Sequence, residues 1–250
     1  MLRLWTERFR AGVFPDTGWL IKANRNEISR YVVEVSTQLS VLEGLERLFH
    51  DQVVSARAGV EVVISDSQAR LLYLPWQDNI RGHAQREAYA RGCFEQAGLE
   101  LEGDWLIQTA YRWYRGGGIA YGLPRALVAS VEASLAARRL RLRSIMPLST
   151  HAYWHCKGIA PRGHSVLLLE EQRRTSALLF DNRKCTGIHV QPGKSGPDTI
   201  KRLLRTIDAV FPDVQQMQVW SVHDERHSTA LFEELLPTSS IEPVDKGRWC

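Results

Sequence analysis

The chain has 250 residues, 44% hydrophobic and 24% charged, which is ordinary for a globular protein and enough to bury one large core or two small ones. Its net charge is +4, and 26 of its 32 basic residues are arginine; these are spread along the chain, which argues against a dedicated nucleic-acid tract. No apolar run approaches the roughly 20 residues of a membrane span, MLRLWTERFR at the N-terminus lacks a secretory apolar core, and the scattered Cys93, Cys156, Cys185 and Cys250 form no CxxC pair, so they read as reduced thiols and not as a zinc site or disulfide framework.

In chain order, residues 2–10, 18–23 and 31–35 read as a strand meander, with Asn, Asp, Gly and Pro at the turns 14–17 and 24–27. Residues 36–57 carry helical spacing, with Leu42, Leu45 and Phe49 on one face and Gly59 as the expected C-terminal cap. Residues 60–64 form a short, continuously apolar strand of the kind covered on both faces. A turn at 65–69 leads to a strand over 70–76. A helix is predicted over 80–97, with Ile80, Ala84, Ala88 and Cys93 inward and Gly98 as its cap. A strand at 105–111, a glycine turn at Gly116-Gly117-Gly118 and a return strand at 119–122 follow. Pro124 suits the start of a helix over 124–138 that turns Leu127, Val128, Val131 and Leu135 inward. Residues 140–145 alternate with Arg139, Arg141 and Arg143, predicting a strand with one basic face.

The second half repeats this plan. Residues 165–170 and 175–181 are apolar runs separated by the polar turn 171–174, and a second polar turn, 182–186, leads into 187–190; together they predict three meandering strands. Ile200, Leu203, Leu204, Ile207 and Val210 place a helix over 197–211, and 217–222 is another strand. The boundary between halves is expected in the Pro-, Gly- and His-rich segment 147–163, dividing the chain into 1–148, with an inserted helical piece around 77–103, and 149–250, with a polar tail from 237.

Motifs for chemistry are sparse. Gly193-Lys194-Ser195 resembles the end of a phosphate loop, but Ile188 stands where the motif needs glycine. His223 and His227, like His151 and His155, have the i, i+4 spacing of a zinc pair, without the Glu of the first motif or a further ligand for the second. No GxSxG is present. Cys156, next to His155, reads as a packed thiol and not a nucleophile. Asp66, Glu170-Glu171 and Glu233-Glu234 fall on turns or helix faces, with no sequence reason to share a pocket, so no acid/base dyad is assigned. The candidate partner-binding residues are Arg139, Arg141 and Arg143, whose guanidiniums suit carboxylates or phosphates, together with Trp76 as an aromatic anchor; Trp113 is a further aromatic of this kind. No catalytic, cofactor-binding or metal residues are assigned.

The stretches VEVVISDSQARLLYLPW at 60–76 and WLIQTAYRWYRGGGIAYGLPRALVASVEASLAARRLRLRSIMP at 105–147, followed by the strand–strand–strand–helix–strand unit, resemble the actin-like cytoplasmic assembly proteins of bacterial type IV pili and type II secretion systems, the PilM/GspL-like group. The resemblance covers about two thirds of the chain and rests on the order of elements. It implies an α/β, actin-like (ribonuclease H-like), two-lobed fold reduced in its second lobe. It also implies a cytoplasmic scaffold peripheral to the inner membrane through a partner. The partners implied are other assembly proteins, including the cytoplasmic tail of an inner-membrane protein, with no specific nucleic acid. The alternatives are an ATP-binding enzyme of the actin and sugar-kinase superfamily and a basic nucleic-acid-binding domain. In the actin-like fold the first hairpin of a lobe holds nucleotide phosphate through a turn containing Asp and Gly. The turn 171–174, Glu-Gln-Arg-Arg, has no glycine, while Pro15-Asp16-Thr17-Gly18 keeps an Asp-x-Gly; no cofactor is therefore expected.

Overall fold

The computed structural model describes residues 7–22, 27–33, 38–50, 52, 54–55, 57–99, 101, 103–155, 163–194, 196–221 and 240–243. Strands β1 (Arg8–Val13), β2 (Thr17–Lys22) and β3 (Glu27–Val32) form an antiparallel meander. Helix α1 (Val41–Phe49) crosses to β4 (Gly59–Ile64), which runs parallel to β1. An insertion follows: β5 (Arg70–Leu74), α2 (His83–Gln96), β6 (Trp105–Ala110) and β7 (Gly118–Pro124), with its own sheet in the order β5-β7-β6. Helix α3 (Arg125–Ala137) then returns to β8 (Arg141–Pro147), which completes the sheet β3-β2-β1-β4-β8.

Helix α4 (Leu148–His155) leads to the second sheet. It comprises β9 (His164–Glu171), β10 (Arg174–Asp181), β11 (Lys184–Pro192), α5 (Pro197–Val210), β12 (Gln216–Ser221) and β13 (Ser240–Pro243), in the order β11-β10-β9-β12-β13. The pairing scheme is that of the first sheet: two antiparallel pairs, then two parallel ones. The shared plan of the two halves is thus a duplicated fold.

Continuous apolarity marks the central strands because both their faces are covered. On β9, Val166 and Leu168 pack with Ile200, Leu203 and Ile207 of α5. The alternate residues Leu167 and Leu169 point the other way and join Leu178, Phe180, Val63, Phe14, Leu148 and Tyr153 in a core between the two sheets. Parting the sheets would uncover several of these side chains, each costing about 1.5–3 kcal/mol.

Four expectations need correction. Helix α1 starts at Val41 because Ser40 caps it: the Ser40 hydroxyl accepts from Glu43 N, and the Glu43 carboxylate accepts from Ser40 N at 2.7 Å. That reciprocal box fixes the start. Gly59 is not its cap but the first residue of β4, where an added Cβ would lie 2.5 Å from Cδ of Arg143 on the neighbouring strand. Helix α2 buries Ala90 and Phe94 instead of Ala84 and Ala88, which are exposed, and Ile80 lies before the helix. The aromatic ring decides the phase by packing under the small sheet with Leu74, Ile107 and Ala120, since alanine is tolerated on either face.

Arg139 is not on a strand. Helix α3 ends with Arg139 N donating to Ala136 O at 2.8 Å and Leu140 N to Leu135 O at 2.9 Å, with Arg139 at φ 60°. This is a Schellman closure with arginine in the left-handed position that glycine usually takes, and with Leu135 and Leu140 both buried as its apolar clasp.

Candidate functional site

The two lobes meet where the first hairpin of each faces the other. A cavity of about 240 Å³ lies between them, lined by Phe14, Pro15 and Asp16 of the β1–β2 turn, by Gln38, by Ser65, Ser67 and Gln68 after β4, and by residues 171–174. It is smaller than the roughly 300–1,000 Å³ typical of small-molecule sites.

Its base is a knot of hydrogen bonds around Asp66. This residue follows β4 at the start of a short 3-10 turn, Asp66–Gln68, and is fully buried. Its carboxylate accepts from Ser149 N at 2.9 Å, from Ser149 Oγ at 2.5 Å and from Ser176 Oγ at 2.9 Å. Arg174 Nη1 donates to Asp66 O at 2.6 Å, and Asp66 N donates to Glu171 Oε1 at 3.0 Å, across 105 residues of sequence. The turn after β9 therefore directs Glu171 and Arg174 into the first lobe. With the Gln38 amide oriented to present its oxygen, Arg173 also donates across the gap, at 2.9 Å.

Burial governs the protonation of this knot. Desolvation first, and then the neighbouring charge of Asp66, push the Glu171 carboxyl up to about 8, against the lowering effects of Ser65, Asp66 N–H and Arg174. Desolvation also raises Asp66, opposed by its bonds to Ser149 and Ser176 and by the charge of Arg174. Three donors face the Asp66 carboxylate, so when the pair holds one proton it resides on Glu171.

These two residues are the ones that sequence reasoning missed: Glu171 lines the cavity, and Asp66, fully buried beneath it, donates its backbone N–H to Glu171. The usable signal was position: Ser65-Asp66 and Glu171 each end a continuously apolar central strand, and the carboxyl ends of parallel strands are where α/β sheets gather functional groups.

The β1–β2 turn is filled by its own packing. Phe14 N donates to Thr17 O at 2.9 Å, Tyr31 Oη to Phe14 O at 2.8 Å, and Leu39 N to Pro15 O at 2.7 Å. A Cβ on Gly18 would run into the Tyr31 ring, so that glycine has a packing role in this fold. Gly193 N donates to Arg173 O at 3.0 Å, so the first residue of Gly193-Lys194-Ser195 holds the opposing turn; Ser195 lies outside the described residues.

Of the partner-binding candidates, Arg141 and Arg143 are exposed on β8, an edge of the first sheet. The register steps from Val60↔Leu142 to Glu61↔Ser144, leaving Arg143 as the extra residue of a bulge, which interrupts the expected alternation. Arg139 is exposed in the preceding turn. Trp76 is remote from them, in the insertion. Its ring meets Tyr111 and Tyr114 edge-on at 5.7 and 5.4 Å, and its indole N–H donates to Asp78 Oδ1 at 3.0 Å. His151 and His155 pack ring against ring at 4.4 Å on α4, and burial above all lowers His151, aided by His155 and Arg10. Among the described residues no three metal-ligating side chains cluster, and no helix is long and apolar enough to cross a membrane. Cys156, His223, His227, Glu233 and Glu234 lie outside the described residues.

No protein-family model matches the chain, and no curated protein matches its sequence. Solved structures do. A chain of the PilM–PilN type IV pilus biogenesis complex matches at 13% identity and TM-score 0.68, covering 98% of this chain and 89% of that one. A Bacteroides thetaiotaomicron protein with an actin-like ATPase fold and unknown function matches at 12% and 0.65, over 96% and 91%. The cytoplasmic domain of EpsL, an inner-membrane component of the Vibrio cholerae type II secretion system, matches at 14% and 0.58, over 98% and 92%. At these identities the likeness is one of fold: the chain is an actin-like α/β protein, and PilM/GspL-like proteins are among its structural neighbours.

Proposed function

We propose that this protein is a non-enzymatic cytoplasmic scaffold that assembles a type IV pilus or type II secretion-like machine through protein–protein contacts, with its two lobes dividing near residue 148. The observation that carries this reading is the closed interlobe site. Glu171 and Asp66 meet where a nucleotide-binding relative would present backbone N–H groups to phosphate, and the core between the sheets opposes the opening that nucleotide exchange needs. The Asp66 N–H is already taken by Glu171, and the turn at 172–173 is tied to Gln38 and Gly193. The likeness to PilM–PilN and EpsL supports the choice of machine. The exposed arginines Arg139, Arg141 and Arg143 at the β8 edge supply a surface for an acidic or extended segment, such as the cytoplasmic tail of an inner-membrane protein, through charge pairing or strand addition. Trp76 belongs to a separate surface.

Titration calorimetry with Mg-ATP tests the reading. No heat at millimolar nucleotide is expected; a micromolar dissociation constant would overturn it in favour of an ATP-binding enzyme. Pull-down with candidate membrane-protein tails, with and without Arg141→Gln and Arg143→Gln, then tests the partner surface.

A further inference from the structure

At one end of the insertion, aromatic and basic side chains gather on adjoining turns. The β6–β7 turn carries Trp113 and Tyr114, which are 41% and 75% exposed, and α4 adds Trp154 at 42%. These are the exposed large aromatics among the described residues. The turn is fastened to α4 at the residue before Trp154: Arg112 N donates to Tyr153 Oη at 2.8 Å, Arg112 Nη1 to Tyr153 O at 3.0 Å, and Tyr153 Oη to Gly117 O at 3.0 Å. The β10–β11 turn is joined by the bridge between Gly117 and Cys185, bringing the exposed Arg183 and Lys184 alongside.

Cations flank these rings, and Trp76 packs edge-on against Tyr114 at 5.4 Å. The guanidinium of Arg112 lies 5.2 Å from the Trp113 ring centre and that of Arg115 lies 5.5 Å from the Tyr114 ring centre. Asp78, between β5 and α2, and Asp181, at the end of β10, lie beside these turns, and both are engaged, Asp78 with Trp76 and Arg115, Asp181 with Asn182. The surface thus combines exposed tryptophan and tyrosine with surplus arginine and lysine on the tips of turns. Amphipathic rings of this kind settle at the headgroup level of a bilayer, and each nearby Lys or Arg adds attraction to anionic lipid. Rings that protrude from turn tips suit the flat surface of an anionic bilayer, in which they can sink to headgroup depth.

We propose that this aromatic and basic end docks directly on an anionic lipid bilayer, Trp113, Tyr114 and Trp154 entering the headgroup layer while Arg112, Arg115 and Lys184 face the lipid charge. The scaffold would then reach the membrane through its own surface as well as through a partner. The contact does not depend on which machine the protein serves.

The test is co-sedimentation of the full chain with vesicles of phosphatidylcholine containing phosphatidylglycerol, against vesicles of phosphatidylcholine alone. Salt-sensitive binding to the anionic vesicles alone is expected. Arg115→Gln with Lys184→Gln removes two charges and should weaken it about thirtyfold; Trp113→Ala with Tyr114→Ala should weaken it at every salt concentration. Melting temperature checks that both pairs fold, and should the aromatic pair unfold, the charge pair decides alone. Failure to sediment with anionic vesicles, equal binding to neutral ones, or undiminished binding by the charge variant overturns the proposal. Capture of a polyglutamate peptide with no vesicle binding assigns the surface to a protein partner instead.

Discussion

Replacing Glu171 by glutamine removes a costly buried carboxyl from the interlobe knot while keeping its shape. The Glu171 carboxyl titrates at about 8 in the fold, against 4.5 for an ordinary glutamate. Its folded value lies above its unfolded value, so between those limits the native state binds more protons than the unfolded one. Its contribution is therefore most favourable below about pH 4.5 and is lost as pH rises towards 8. The slope approaches about 1.4 kcal/mol per pH unit, so the cost reaches a few kcal/mol by neutral pH. Asp66 shifts in the same direction, by burial above all. In Glu171→Gln the amide oxygen still accepts from Asp66 N, and no charge has to be buried. The variant should match the wild type near pH 5 and exceed it at pH 8 by several kcal/mol, or roughly 5–15 °C in melting temperature for a chain of this size. Urea or thermal melts at a series of pH values decide it. Parallel pH profiles, or a variant less stable at pH 8, would refute the buried-pair argument.

Two further outcomes follow from local geometry. Arg139→Gly should stabilise the protein by about 0.5–1 kcal/mol, because arginine sits at φ 60° in the closure of α3 and glycine takes that conformation without steric cost; a destabilised variant in urea melts would show that the arginine side chain is needed there. Ser40→Ala should cost about 1 kcal/mol, since it removes the acceptor for Glu43 N at the start of α1, and an unchanged denaturation midpoint would refute the capping role.

What the sequence disclosed and what it concealed follows from the range of the interactions. The meander at 165–190 and helix α5 are legible because their signals are local. Val166 and Leu168 alternate with Leu167 and Leu169 between two covered faces, and Pro197 opens a helix with Ile200, Leu203, Leu204 and Ile207 on one side. The start of α1 is written in the capping-box spacing of Ser40 and Glu43, but polar and apolar residues on either side of 41–49 continue a helix-like pattern that hides both ends. Arg139 was misassigned because alternation of Arg and Leu suggests a strand even where a left-handed turn supplies the first arginine. Of the Asp66–Glu171 contact, the sequence offers only the position of each residue at a strand end and not their pairing. Each residue ends its own apolar strand, and what joins them is the duplication that sets two copies of one sheet face to face.

That duplication also explains why a costly pair belongs in this position. In both lobes the first hairpin and the end of the central strand converge on the gap between the sheets, so any group there is enclosed by the other lobe. In a nucleotide-binding member of the fold, ligand phosphate and its cation would occupy that gap and leave with exchange. Here the chain supplies its own occupants: the Glu171 carboxyl, the Arg174 guanidinium and the hydroxyls of Ser149 and Ser176. A buried polar cluster of this kind is a poor source of net stability but penalises misplacement, because shifting the lobes would leave its donors and acceptors buried without partners. Its effect is to fix one relative setting of the lobes. A protein that works by presenting surfaces at fixed separation, such as the β8 edge and the aromatic turns, gains from that restraint, whereas an enzyme that must open and close around ATP would lose by it.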